Sequence, residues 1–393
     1  MTEGRPGPLR GVRVLELGAI GPVPFCGLLL SDLGADVVRL DRAAAVTGAD
    51  PAYAPGNVLD RGRRSVGVDL KHPEGVGLAL RLAGEADVVI EGWRPGVAER
   101  LGVGPEACSA RNPKVVYGRM TGFGQDGPWA PQAGHDIDYL ALAGVLGAFG
   151  RAGQPPTPPI NAVADFGGGG LLLALGLVAA LFEVRGGGPG QVVDASMVDG
   201  AALLLAPFFA AAQLGFWGPR GTNSLDSGAP FYDSYECGDG GWVAVGALEP
   251  QFYAALLDGL GLDPAEVPDR EDRARWPELR AVLGARFRTR TRDEWDALFG
   301  PDGDHDACVA PVLDLAEAPS HPHHVARGTF TERDGVVHPS PAPRLSATPA
   351  TIAGPSCYPG QHTRVALADW GIPAADVAAL EAAGALAQHP AGA

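Results

Sequence analysis

The stretch VRVLELGAIGPVPFCGLLLSDLGADVVRLDR, residues 12–42, decides the fold. Its opening residues, VRVLEL, are rich in β-favouring aliphatics and read as a strand. Residues 24–33 read as a helix, Gly34 suits the stop that follows it, and residues 35–40 (ADVVRL) read as the next strand. The pattern continues outward. Residues 65–70 (SVGVDL) and 87–91 (DVVIE) flank a helical run over 74–86, and residues 115–120 (VVYGRM) add another strand. Strands separated by helices imply a parallel, helix-covered sheet, so the expected class is α/β with a Rossmann-like large domain. The turn after the first strand is GAIGPVP, and Pro22 and Pro24 occupy the place where a G-x-G-x-x-G fingerprint needs bare backbone. A nicotinamide cofactor is therefore not expected.

Residues 43–64 form a long polar connection. Helices are expected over 136–150 and 166–182, a strand over 191–194, and a helix from Ser196. Near residues 218–228 (GPRGTNSLDSG) the pattern changes to a loop. Short strands over 232–236 and 242–246 then alternate with helices over 250–260, 276–287 and 292–298. This reads as a smaller α+β domain of residues 218–329, set within a large domain made of residues 1–217 with 330–393. From about Phe330 the chain is extended and Pro-rich. It closes with a helix near 374–386 and a frayed end over 389–393.

A chain of 393 residues exceeds what one core usually organises, in keeping with two domains. Hydrophobic residues at 46% and charged residues at 19% suit a packed protein rather than a disordered one. A net charge of −16 argues against nucleic acid, which needs positive surface. The five cysteines are odd in number, far apart and never in a C-x-x-C pair, which fits reduced thiols in a cytoplasm. Residues 1–10 are polar and do not form a signal peptide. The most apolar stretches, 171–182 and 201–212, fall short of the roughly 20 residues a membrane span needs, and Pro207 interrupts the second. No membrane partner is expected.

Familiar catalytic signatures are absent: there is no G-x-S-x-G elbow, Walker loop or H-E-x-x-H helix. His321, His323 and His324 (HPHH), and Asp304, His305, Asp306 and Cys308, lie in stretches without a matching ligand set, so no metal is expected. Two other segments combine polarity with a helix start. In Gly134-His135-Asp136-Ile137-Asp138-Tyr139, a histidine at a helix N-terminus meets the positive end of the macrodipole, which favours its neutral, proton-accepting form. In Ala164-Asp165-Phe166 followed by Gly167–Gly170, the glycines can bare N–H groups, and Asp165 can act as N-cap, base or both. By themselves both segments remain open to a purely structural reading.

The chain resembles the class III (CaiB/BaiF) coenzyme A transferase family, and within it the α-methylacyl-CoA racemase branch. The resemblance is carried by ordered matches along almost the whole chain. Among them are PLRGVRVLELG (8–18), DLGADVVRLDR (32–42), RSVGVDLK (64–71) and EGWRPGVAERLG (91–102). They continue in GHDIDYLALAG (134–144), ADFGGGG (164–170), GTNSLDSGAPFYDSYEC (221–237), VGALEPQFY (245–253), ACVAPVL (307–313) and PGQHTRVALADWG (359–371). It implies two open rings interlocked as a homodimer, and a cofactor-free 1,1-proton transfer that interconverts (2R)- and (2S)-2-methylacyl-CoA. Asp165 matches the family's shared aspartate, which is acylated in the transferase branch and is a base in the racemase branch. His135 matches the partner base and Glu249 a glutamate that supports it. Together they favour the racemase branch over CoA transfer between carboxylic acids. The resemblance further implies that Arg39, Val68, Asp69, Leu70, Lys71, Gly92, Trp93, Arg94 and Arg100 line the nucleotide and pantetheine path. It implies that Gly134, Asp136, Ile137, Asp138 and Tyr139 surround the thioester. Donors at the start of the Gly-rich helix, the Asp165 N–H included, are expected to hold the enolate oxygen, each contributing roughly 3–4 kcal/mol.

Overall fold

A computed structural model describes residues 6–46, 57–333 and 335–390. Part of the long connection over 43–64, the first five residues and the last three of the chain lie outside them. The chain divides into two compact units. The first comprises Met1–Ala143, Ile160–Leu204 and His323–Ala393, and the second Gly144–Pro159 and Leu205–Pro322. Residues 144–159 and 205–217, placed in the large domain by sequence, therefore group with the second unit, and residues 323–329, placed in the small domain, group with the first.

The first unit is built on a seven-stranded sheet. Its strands are β1 (Arg13–Leu17), β2 (Asp36–Arg42), β3 (Arg64–Val68), β4 (Val88–Glu91), β5 (Val116–Thr121), β6 (Val192–Ser196) and β12 (Leu386–Ala387). The order is β12-β3-β2-β1-β4-β5-β6, and every pairing is parallel except β12 with β3. Apart from the edge strand β12 this is the doubly wound order, whose direction reverses between β1 and β4. Val14, Leu15 and Leu17 of β1, Val37 and Val38 of β2 and the whole of β4 are buried, as strands covered on both faces require. The covering helices are α1 (Pro22–Asp32), α2 (Pro73–Glu85), α3 (Val97–Arg100), α4 (Pro105–Ser109), α5 (Asp136–Leu142), α6 (Leu172–Arg185) and α7 (Met197–Leu204). After α8 to α11 of the second unit, the chain returns through α12 (Pro322–Arg327) and a hairpin of β10 (Phe330–Arg333) and β11 (Val336–Pro339) to α13 (Thr363–Asp369) and α14 (Ala374–Ala382).

Near the end of the chain, the helix expected over 374–386 stops at Ala382 ahead of the edge strand Leu386–Ala387, and a further helix, α13, lies in the stretch expected to be extended. Two other expected helices differ. The one expected over 136–150 stops at Leu142, because Gly144 takes a left-handed φ of 77° just past its end. The one expected over 166–182 is longer: a helix runs without a break over Ile160–Arg185, 26 residues, with the π-helical stretch Val163–Leu171 ahead of α6. By length and composition alone this helix could cross a membrane, so the short apolar stretch read from sequence is corrected. Pro207 does separate α7 from the helix after it, sitting in the first turn of α8 (Ala206–Gln213).

The second unit carries a three-stranded antiparallel sheet of β7 (Tyr232–Glu236), β8 (Trp242–Gly246) and β9 (Val309–Pro311). Its core is completed by α9 (Pro250–Leu260), α10 (Trp276–Phe287) and α11 (Arg292–Phe299). Tyr235, Phe287, Trp295 and Phe299 form a ladder of ring contacts through its core.

Candidate active site

His135 is the N-cap residue of α5, with extended φ −128° and ψ 175°. Its N–H donates to the Asp138 carboxylate at 2.9 Å, which fixes the start of the helix. One residue on, Asp136 is buried, and its Oδ1 accepts from the N–H groups of Ala164 at 3.1 Å and Asp165 at 2.8 Å. A single carboxylate on α5 thus secures the opening turn of the π-helical stretch and ties the residue after His135 to the backbone of Asp165. Asp165 stands inside that turn rather than capping it, since the position before the π-helix is Ala162. Its Oδ2 accepts from Asn161 Nδ2 at 2.7 Å. Gly21, in the turn between β1 and α1, lies beside it: a Cβ there would sit in ordinary contact, 3.4 Å from the same Oδ2. With φ of 66° Gly21 also holds a conformation other residues adopt only under strain. Asp165 is therefore at the carboxyl end of β1, beside the reversal point of the sheet, where open α/β sheets receive ligands.

Burial raises the Asp165 carboxyl above its ordinary range, against smaller opposing effects of the Asn161 hydrogen bond and the neighbouring His135. Asp136 is also raised, chiefly by burial and further by the charge of Asp165, while the two N–H bonds lower it. The Tyr139 phenol is pushed up to about 12, first by burial and then by Asp165, Asp138 and Asp136. Its hydroxyl donates to the Gly134 carbonyl, and its ring meets Phe123 edge-on at 5.0 Å. The site thus gathers two carboxyls of raised proton affinity near one histidine, a pattern met at acid–base centres.

The glycine run has a different role from the one read in the sequence. A Cβ on Gly168 would lie 2.6 Å from the Ala201 nitrogen, one on Gly200 of α7 would lie 1.8 Å from the Gly168 oxygen, and one on Gly170 would lie 2.5 Å from the Pro22 oxygen. These residues are glycine because the π-helical stretch presses backbone to backbone on α7 and α1. The Asp165 N–H, expected as an oxyanion donor, is already committed to Asp136. The first-turn N–H groups of Asp136 and Ile137, beside His135, have no partner among the described residues.

The residues expected along the nucleotide path lie on or just beyond β2, β3 and β4. Val68 is buried at the end of β3, the Asp69 carboxylate accepts the Lys71 N–H at 2.9 Å, and Leu70 is half-buried beside an exposed Lys71. After β4, a Cβ on Gly92 would meet Val23 Cγ2 at 2.7 Å. Trp93 Nε1 donates to the Gly18 carbonyl at 3.0 Å across the reversal point. Arg94 and Arg100 are exposed. Arg39 departs from its expected place as an open cation. It is 6% exposed, and its guanidinium is engaged by Asp41 and Asp60. Asp60 also engages Arg63, whose other partner is Glu16, so Arg39 belongs to a buried ionic network that lets β1 and β2 carry charge in the core.

Glu249 lies in the second unit, where it precedes α9 as N-cap and its carbonyl accepts the Tyr253 N–H at 3.0 Å. Among the described residues no group of three or more His, Cys, Asp or Glu is placed to hold a metal ion. Asn161, Gly21 and the bracing role of Asp136 were missed by sequence reasoning. The i, i+4 spacing of Asn161 and Asp165 on a helix was the one available signal.

The model of CoA-transferase family III matches residues 9–363. The chain is 48% identical over 368 residues to the alpha-methylacyl-CoA racemase of Mus musculus, an alignment that covers 92% of this chain and 93% of the mouse protein. Its identity to the Homo sapiens protein of the same name is 44% over 369 residues, again 92% of this chain and 93% of the other. The crystal structure of a CAIB/BAIF family protein from Brucella suis superposes with a TM-score of 0.80 at 27% identity, covering 93% of this chain and all of that one. With the parallel sheet, the Asp165 turn and these matches together, the chain belongs to CoA-transferase family III, the CaiB/BaiF family.

Proposed function

We propose that the protein is an α-methylacyl-CoA racemase, interconverting (2R)- and (2S)-2-methylacyl-CoA by proton transfer without a cofactor. One observation carries the reading. In a chain close in sequence to proteins of that name, Asp165 is held beside His135 with its proton affinity raised. Inversion at carbon 2 needs the proton taken from one face and another delivered to the opposite face. His135 removes it from one enantiomer and Asp165 from the other. The C–H electron pair moves into the carbonyl, the thioester oxygen becomes the enolate oxygen, and the second group returns a proton to carbon 2. Each group is base in one direction and acid in the other. A raised Asp165 suits this double duty, because it holds the returning proton closer to working pH.

The enolate oxygen needs donors. The unpartnered N–H groups of Asp136 and Ile137 supply them in place of the committed Asp165 N–H. By the family resemblance, Glu249 is a supporting carboxylate of the proton transfer. The coenzyme end of the substrate lies along Val68–Lys71 and Gly92–Arg94, with Lys71, Arg94 and Arg100 as the open cations and Arg39 shaping the path from within its ionic network. The acting form is a cytoplasmic homodimer with interlocked rings. An apolar stripe at helical spacing supports self-association alone: Leu171, Leu175, Val178 and Phe182 are 54%, 64%, 36% and 81% exposed on one side of helix Ile160–Arg185.

The family name keeps a second reading in view, CoA transfer through an acylated Asp165. Incubation of one enantiomer of a 2-methylacyl-CoA with no carboxylic acid acceptor separates the two. Loss of optical purity is the racemase outcome. A stable enantiomer that passes its CoA to an added free acid would replace the racemase reading with the transferase one.

A further inference from the structure

We propose that Arg270 is a positioning residue for Glu249, clamping the segment that delivers it, an inference that rests on the reading that Glu249 acts in the proton transfer. Arg270 lies in the second unit, in the loop between α9 and α10. Its Nη2 donates to the Leu248 carbonyl at 2.6 Å and its Nη1 to the Ala247 carbonyl at 3.5 Å, a strong bond and a long one. These are the two carbonyls immediately before Glu249, in the short link from β8 to α9.

The guanidinium rests in the corner formed by two rings. Its carbon lies 4.0 Å from the centroid of Phe231 and 4.6 Å from that of Tyr253, and those two rings meet edge-on at 5.9 Å. Tyr253 sits in the first turn of α9, where its N–H donates to the Glu249 carbonyl at 3.0 Å. The Arg270 backbone is held as well, because the buried Trp276 donates Nε1 to its carbonyl at 2.8 Å. One side chain therefore ties together the link before Glu249, the helix turn after it and a buried aromatic cluster. A surface arginine kept for solubility has no need of such a seat. A loop that must present one carboxylate in a single orientation does.

Orientation of Glu249 and binding of the substrate are separable by experiment. In the full-length protein, Arg270→Met keeps an apolar chain between the two rings but removes the donors. It should lower kcat for racemisation of a 2-methylacyl-CoA by about tenfold to a hundredfold, the scale of a misplacement near one ångström, with KM within about twofold of wild type. Arg270→Lys, with one donor and no fork, should fall between the two. Combining Arg270→Met with Glu249→Gln should cost no more than Glu249→Gln alone, since the arginine acts only through that carboxylate. If the two losses multiply in full, or if Arg270→Met raises KM and leaves kcat unchanged, the positioning role is wrong. If Arg270→Met does not yield folded protein, the same cycle is run with Arg270→Lys and the same outcomes decide. A wild-type kcat for Glu249→Gln overturns the reading of Glu249 itself and is recognisable whatever Arg270 does.

Discussion

Asp165 is a carboxyl whose burial ties the stability of the chain to pH. Burial raises its carboxyl, so the folded chain binds that proton more tightly than the unfolded chain. The stabilising contribution is then fully present below the ordinary carboxylate range and is lost as pH rises through the raised value. Asp165→Asn removes this dependence while retaining a partner for Asn161. The variant should lose racemisation by at least about a thousandfold, the loss expected for an essential acid–base group. It should also unfold at a temperature equal to or about 1–2 °C above wild type near pH 7. Thermal unfolding from pH 4 to pH 8 checks the sign: the gap should narrow toward acid, where the wild-type carboxyl is protonated. A gap that widens toward acid contradicts the raised carboxyl. His135 and Asp165 drew notice in the sequence as polar residues at the start of apolar helices, but their roles came from the family resemblance alone. The place of Arg39 was not legible. A basic residue in a matching motif looks the same whether a ligand or a buried Asp60 neutralises it, and the deciding partner lies 21 residues away in the chain.

At the scale of elements, alternation and helical period carried the reading well where one face of an element is dry. The strands Tyr232–Glu236 and Trp242–Gly246 and the helices Pro250–Leu260 and Trp276–Phe287 coincide with the expectation. The glycine run was misread because a sequence does not distinguish glycine that bares a backbone from glycine that admits a neighbouring one. Gly168 and Gly200 are the second kind. Gly200→Ala forces a methyl into the Gly168 carbonyl, where neither helix has a flexible side chain to yield. It should destabilise the protein by about 3 kcal/mol or more, the upper range for overpacking, and reduce activity by shifting the stretch that bears Asp165. Chemical denaturation of the variant checks this; a change under about 0.5 kcal/mol, the scale of an ordinary surface substitution, would contradict the close approach of α7. The edge strand Leu386–Ala387 has no local signal either, since two residues are too few to show a period.

For the whole molecule, the sequence conveyed a parallel sheet with a smaller α+β unit, because βαβ spacing is a local pattern repeated several times. The boundaries of the units were less legible. Residues 144–159 and 205–217 join the second unit through contacts such as Arg220 with the carbonyls of Gly147 and Gln154, which no periodicity announces. The exposed stripe on helix Ile160–Arg185 belongs to this scale too. Replacing Leu175 and Phe182 together by Glu should shift the protein toward monomer in sedimentation velocity and lower activity in parallel. An unchanged association state would remove the stripe from the dimer interface.

Proton exchange at carbon 2, by His135 and Asp165 acting from opposite faces, is what the proposed racemisation requires. It is tested most directly by incubating a single enantiomer of a 2-methylacyl-CoA with the protein in D2O, without any acceptor acid, and following isotope content and optical purity together. The account predicts deuterium at carbon 2 appearing as optical purity is lost, and neither change with His135→Ala or Asp165→Asn. Retained hydrogen and retained configuration in the wild-type reaction would contradict it.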